Sequence, residues 1–207
     1  MNMSRRRFAG AAAVVTAGSL LPAAISAGTL AAPATVRGAE QPALLRRAMA
    51  ALNTNARLVT QRDLIGLADF SSASRQARFH LVDVANGRIV ESHLVSHGKG
   101  SDPANSGFVQ QFSNLPGSNA SSEGAFLVAD TYFGKHGRSR RLIGLDPANS
   151  MALERAIVIH AADYVSEDMA RDQGRIGRSQ GCFAFAEDKL APLLARLGPG
   201  HLLFAGK

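Results

Sequence analysis

The feature that most constrains this 207-residue chain is a change of period at Phe79. Upstream, Leu44, Leu45, Ala48, Met49 and Leu52 recur at helical spacing behind Pro42, with Arg46 and Arg47 on the opposite side. That spacing predicts a short helix opening at the proline. From Phe79 the apolar runs become strand-like, and residues 79–84 and 88–95 flank Asn86-Gly87, a two-residue hairpin signal. Further strands are expected at 125–131, at 156–159 running into His160, and at 201–205, with short helices at 163–171 and 187–197. Turns and loops, rather than regular crossover helices, join the strands. This order predicts a mainly β domain, β-rich with peripheral helices, and argues against a doubly wound sheet.

Residues 96–124 interrupt the strands with a stretch rich in Gly, Ser, Asn and Pro. Loops of that length in compact domains are usually functional or disordered. Residues 35–41 read as linker, so the chain divides into a leader at 1–34, a linker with a short helix at 35–65, and one folded domain at 66–207.

The leader is an address. Ser4-Arg5-Arg6-Arg7-Phe8 precedes an uncharged, Ala-rich stretch, the order of an export signal, and paired arginines shortly before Phe point to the twin-arginine route. Cleavage after Ala27 or Ala34 would leave a periplasmic protein whose leader touches the membrane only before processing. The formal charge is +7, and without Arg5, Arg6 and Arg7 the remainder holds 20 basic against 16 acidic residues. That excess is too mild to argue for a nucleic-acid partner. With 46% hydrophobic residues, 20 Gly and 8 Pro, the composition excludes collagen and a disordered tail. A single cysteine excludes an intramolecular disulfide and a multi-cysteine zinc site.

In an exported protein that cysteine is either a buried inert residue or a thiol kept for chemistry. Cys182 closes Gly177-Arg178-Ser179-Gln180-Gly181-Cys182, while His160 ends an apolar strand. A thiol is mostly protonated at neutral pH, so a nucleophilic cysteine needs a neighbouring base, and a strand end holds an imidazole in place. Gly181 lets backbone approach a carbonyl, and the N–H groups around Gly181 and Cys182 are candidates for holding an oxyanion. From the residues alone, nucleophile and small buried hydrophobe stand about even.

Ile157-Val158-Ile159-His160 followed by Ser179-Gln180-Gly181-Cys182 resembles the L,D-transpeptidases of bacterial peptidoglycan (YkuD-type), whose motif is a strand ending in His, a spacer, and Ser/Thr-His-Gly-Cys. Ser121-Ser122-Glu123-Gly124-Ala125-Phe126 is similar to a further stretch of that family. Val95-Ser96-His97-Gly98, residues 112–118 and Tyr132-Phe133-Gly134-Lys135-His136-Gly137 look like a divergent branch described as murein L,D-transpeptidase catalytic domain proteins. The resemblance covers about residues 66–205 and implies a β-sandwich or barrel, with Cys182 as nucleophile, His160 as base and Ser179 and Gly181 completing the catalytic turn. It further implies stem peptides of peptidoglycan as donor and acceptor, joined in 3-3 or 1-3 links, or shortened if water replaces the acceptor amine, with no cofactor. Gln180 replaces the motif histidine, the spacer is longer than usual, and Ala161 leaves only a backbone carbonyl to orient His160. On the substrate side stand Arg178, Gln180, His136, Tyr132 and Ala161.

Other residues carry blander expectations. Arg140 and Arg141 are read as solvated surface residues, His97 as a loop residue that lines the cleft or stands exposed, and His80, His93 and His201 as strand-face residues. Tyr164 is read as half-buried with a bonded hydroxyl, or as a pocket wall. A second class of reading is a zinc peptidase, with His160 and Asp163 at H-x-x-D spacing joined by His97 or His136. It leaves Cys182 without a role. A third is a non-catalytic wall-binding module.

Overall fold

The computed structural model describes residues 42–207. The arginine triplet, the Ala-rich leader and the linker through residue 41 lie outside the described residues. The elements run α1 (Ala43–Thr54), β1 (Leu64–Asp69), β2 (Phe79–Asp83), β3 (Arg88–His93), β4 (Gly124–Gly134), β5 (Gly137–Gly144), β6 (Val158–Ala161), α2 (Glu167–Gln173), β7 (Phe183–Phe185), α3 (Glu187–Arg196) and β8 (Leu202–Gly206). Among the described residues no helix is long and apolar enough to cross a membrane.

Among the described residues the eight strands form one mixed sheet in the order β3-β2-β1-β8-β4-β5-β6-β7, parallel at β1–β8 and β6–β7 and antiparallel elsewhere. The domain is therefore sheet-dominated with peripheral helices, as the strand-like runs predict. A flat sheet would hold β2 and β7 about 29 Å apart, six spacings of about 4.8 Å. Instead the rings of Phe79 and Phe185 meet edge to face with centroids 4.9 Å apart, and the Ser96 N–H donates to Ala184 O at 2.9 Å. The sheet is curled until its ends meet. Its inner face buries Phe79, Leu81, Phe126, Leu142, Ile157, Ile159, Phe183 and Phe185 against Leu190, Leu193 and Leu194 of α3. On the other face α1 lays Leu44, Leu45, Ala48 and Leu52 against Ile65, Leu67, Leu202 and Phe204.

Three elements differ from expectation. The β2–β3 hairpin has a four-residue loop, Asp83 pairing with Arg88, rather than a two-residue turn. Asp83 is the reason: its carboxylate accepts from Ala85 N and Asn86 Nδ2, both at 2.8 Å, and its carbonyl accepts from Gly87 N. These local bonds hold the chain in a turn before the ladder begins. β1 shows no alternation because four consecutive residues, Ile65 to Ala68, are buried in the middle of the sheet. β5 carries Arg138, Arg140 and Arg141, and Arg140 is not solvated. It is buried, with Nη1 donating to Leu197 O at 3.1 Å at the C-terminal end of α3, where carbonyls attract a cation.

Candidate active site

Ile157, just before β6, and Ile159 within it enter the core, and β7 pairs with β6 so that Ile159 lies opposite Phe183 and His160 opposite Ala184. Strand alternation then sends His160 and Ala184 to the other face, and Cys182 immediately precedes β7. His160 is 2% exposed, and its Nδ1 lies 2.8 Å from Ala161 O. A carbonyl oxygen only accepts, so Nδ1 carries the proton and Nε2 is the basic nitrogen. The exposed ring of His136, from the tip joining β4 and β5, stacks on His160 with centroids 4.2 Å apart.

Cys182 is half-buried, and its Sγ donates to Ala156 O at 3.5 Å rather than to His160. Burial pushes the thiol up, opposed by the Val158 N–H and by the charges of Lys135 and Arg155. Burial also holds His160 below the ordinary imidazole value, with the Ala161 carbonyl opposing and His136 and Lys135 reinforcing. An uncharged thiol and an uncharged imidazole are the forms these surroundings favour.

The turn before Cys182 is held at nearly every residue. Ser179 Oγ donates to Cys182 O at 2.7 Å and accepts from Gly181 N at 3.1 Å. Of the two N–H groups expected at an oxyanion, that of Gly181 therefore already has a partner. Gly181 has φ +117°, and a Cβ there would stand 2.7 Å from Ala120 O. Ser179 N donates to His97 O and Lys99 N to Ser179 O, both at 2.9 Å. Arg178 Nη1 donates to Asp102 O, and Gln180 is exposed. Tyr132 lies under the guanidinium of Arg141, 4.2 Å from its ring centroid. Tyr164 packs on Gly177, and burial together with the neighbouring Cys182 pushes its hydroxyl up to about 12, so it stays a donor.

His97 is neither exposed nor on the cleft. It is wholly buried, with Nδ1 2.6 Å from Arg78 Nη2 and Nε2 3.4 Å from Asp102 Oδ2. A guanidinium only donates, so His97 Nε2 bears the proton and faces the carboxylate. Arg78 is 1% exposed, and its remaining hydrogen bonds end on Val95 O and Ser72 O. This arrangement takes His97 away from the zinc set. Among the described residues no three His, Cys, Asp or Glu side chains are grouped to hold a metal ion.

Several further residues shape the site, and no role was expected of them from the sequence. Arg155 joins the loop to the cysteine turn: Nη1 donates to Ser113 O and Ser122 Oγ, and Nη2 to Ala120 O. Ser121 Oγ accepts from Gly98 N at 3.0 Å. Arg78 and Asp102 belong to none of the sequence motifs, while Lys135 falls in the Tyr132–Gly137 stretch.

Solved structures of low identity match the chain. One is an L,D-transpeptidase from Mycobacterium smegmatis, 13% identical with a TM-score of 0.44, covering 70% of this chain and 59% of that one. Another is an L,D-transpeptidase from Stackebrandtia nassauensis, 14% identical with a TM-score of 0.43, covering 71% and 57%. A third, from Xylanimonas cellulosilytica, is 14% identical with a TM-score of 0.42, covering 70% and 61%. The aligned part spans about three fifths of the length of these chains. No curated protein matches the sequence. The model of the L,D-transpeptidase catalytic domain matches residues 38–205, so the chain belongs to the L,D-transpeptidase catalytic domain family.

Proposed function

We propose that the protein is an exported peptidoglycan L,D-transpeptidase that works through a Cys182 thioester. The observation that carries this reading is the Nδ1 contact of His160 with Ala161 O at 2.8 Å, which leaves Nε2 basic on the strand paired with the one that Cys182 immediately precedes. Cys182 Sγ turns from Ala156 O and attacks a stem-peptide carbonyl, forming a C–S bond as Nε2 takes the thiol proton. The C–N bond to the leaving amine breaks, and His160 returns that proton to the departing nitrogen. An amine on a second stem then attacks the thioester, a C–N bond replaces the C–S bond, and the proton passes through His160 back to sulfur. The link formed is of 3-3 or 1-3 type. Ser179 and Gly181 shape the turn that presents the thiol, while Arg178, Gln180, His136 and Tyr132 meet the donor stem. Ala161 acts through the carbonyl that orients the base. The leader directs the protein to the periplasm by the twin-arginine route, and no cofactor takes part.

The test is mass spectrometry of muropeptides after incubating purified sacculi with the protein or its Cys182→Ala variant. New dimers that require Cys182 are expected, and fragmentation identifies the donor position. Shortened monomers in place of dimers would mean an L,D-carboxypeptidase or endopeptidase on the same thiol. No product from either form would overturn the enzymatic reading in favour of a wall-binding module.

A further inference from the structure

His160 is almost fully buried, yet the ring that covers it belongs to an exposed residue. His136 lies on it at a centroid distance of 4.2 Å with the planes 25° from parallel. The tip carrying His136 is not a loose loop. Gly134 pairs with Gly137, which sits at φ +69°, Tyr132 pairs with Ser139, and Arg141 clamps the Tyr132 ring. Those contacts deliver the imidazole to one place.

We propose that His136 is a positioning residue for the base, capping the His160 ring from water and fixing its plane so that Nε2 faces the thiol side. The inference rests on the reading of His160 as the base. Two of the influences that keep His160 neutral depend on His136: the exclusion of water, and the charge of the hairpin tip when His136 is protonated. Lys135 faces His160 from the same tip. Arg155 acts on Cys182, and Cys182 and Asp163 act on Tyr164. Burial lowers His160 most, and the charges that reinforce it, His136 and Lys135, both lie on the tip. Removing the His136 ring therefore both wets the base and discharges its surroundings, and each change raises the pH at which His160 protonates.

The experiment is an NMR titration of the His160 ring in the full chain, wild type against His136→Ala and His136→Phe, with kcat and KM on a soluble stem-peptide donor. The midpoint of His160 is expected to rise in His136→Ala and to rise less in His136→Phe, which keeps the cover and loses the charge. In His136→Ala kcat should fall about tenfold, more than KM rises from the lost donor contact, the pattern of a misplaced reacting group. His136→Phe should recover most of that loss. A His160 midpoint that stays put in both variants overturns the proposal, as does a moved midpoint with unchanged kcat in an active enzyme. If wild type turns over no donor, the transpeptidase reading has failed, and the titration alone decides whether His136 caps and tunes His160.

Discussion

At Cys182 and His160 the low-dielectric surroundings disfavour charge on both groups, and a few cations decide how far. Lys135 stands out because it is exposed yet acts on both, lowering the thiol and lowering the imidazole. Lys135→Gln should therefore raise both. Alkylation of Cys182 by iodoacetamide at pH 8 is expected to slow about threefold at low salt and by less at high salt, since thiolate is the reacting form and exposed charges are screened. An alkylation rate unchanged across pH 7–9 would mean that Lys135 does not act on the thiol. The two residues proposed to react stand out in the sequence because each ends a local pattern, an apolar run for His160 and a Gly-containing turn for Cys182. Arg155 was not legible, because its partners Ser113, Ser122 and Ala120 lie more than thirty positions away.

The long segment between β3 and β4 is an ordered brace rather than a slack connection. Gly98 bridges to Ser179, and a Cβ on it would press on Asn119 O and stand 2.8 Å from Gly181 N. Three backbones therefore meet where only glycine fits. Gly98→Ala must push the brace away from the cysteine turn. Cross-linking activity on sacculi is expected to fall at least about tenfold, because a small displacement of a nucleophile is costly. The far-UV spectrum should remain that of a folded β protein. Full activity in Gly98→Ala would show that the turn keeps its position without the brace. Composition marked the segment as a loop. Its order comes from buried Ser101, Asp102 and Ser121, which bond across the segment itself: Ser121 N donates to Ser101 Oγ, Gly98 N to Ser121 Oγ, and Ser106 N and Gly107 N to the Asp102 carboxylate.

Over the whole molecule, closure of the sheet brings the end of β3 against β7 and buries the Arg78–His97–Asp102 chain at that junction. Burial first, and then Arg78, push His97 down to about 4, while hydrogen bonds from Ser106 and Gly107 hold Asp102 below its usual range. A histidine whose folded value lies below its unfolded value binds fewer protons when folded, so its contribution declines as pH falls from about 6.5 to about 4. Asp102 acts in the same direction, its contribution disappearing as pH drops through its depressed folded value. Urea unfolding at pH 7 and pH 4.5 should show a loss of up to about 3 kcal/mol traceable to His97, and His97→Gln should flatten that slope. Identical slopes in the two proteins would refute this account of acid sensitivity. The sequence by itself determined the β class, the β2–β3 hairpin, a histidine closing a strand and a lone thiol behind a glycine. Period and turn chemistry act between near neighbours, so they can be read along the chain. Tertiary structure alone decided that Arg140 and Arg78 are buried, that His97 braces a turn instead of lining a cleft, and that a hairpin tip lies on His160. Those outcomes depend on how a curled sheet brings distant segments together, and such contacts leave no periodic trace in a single sequence.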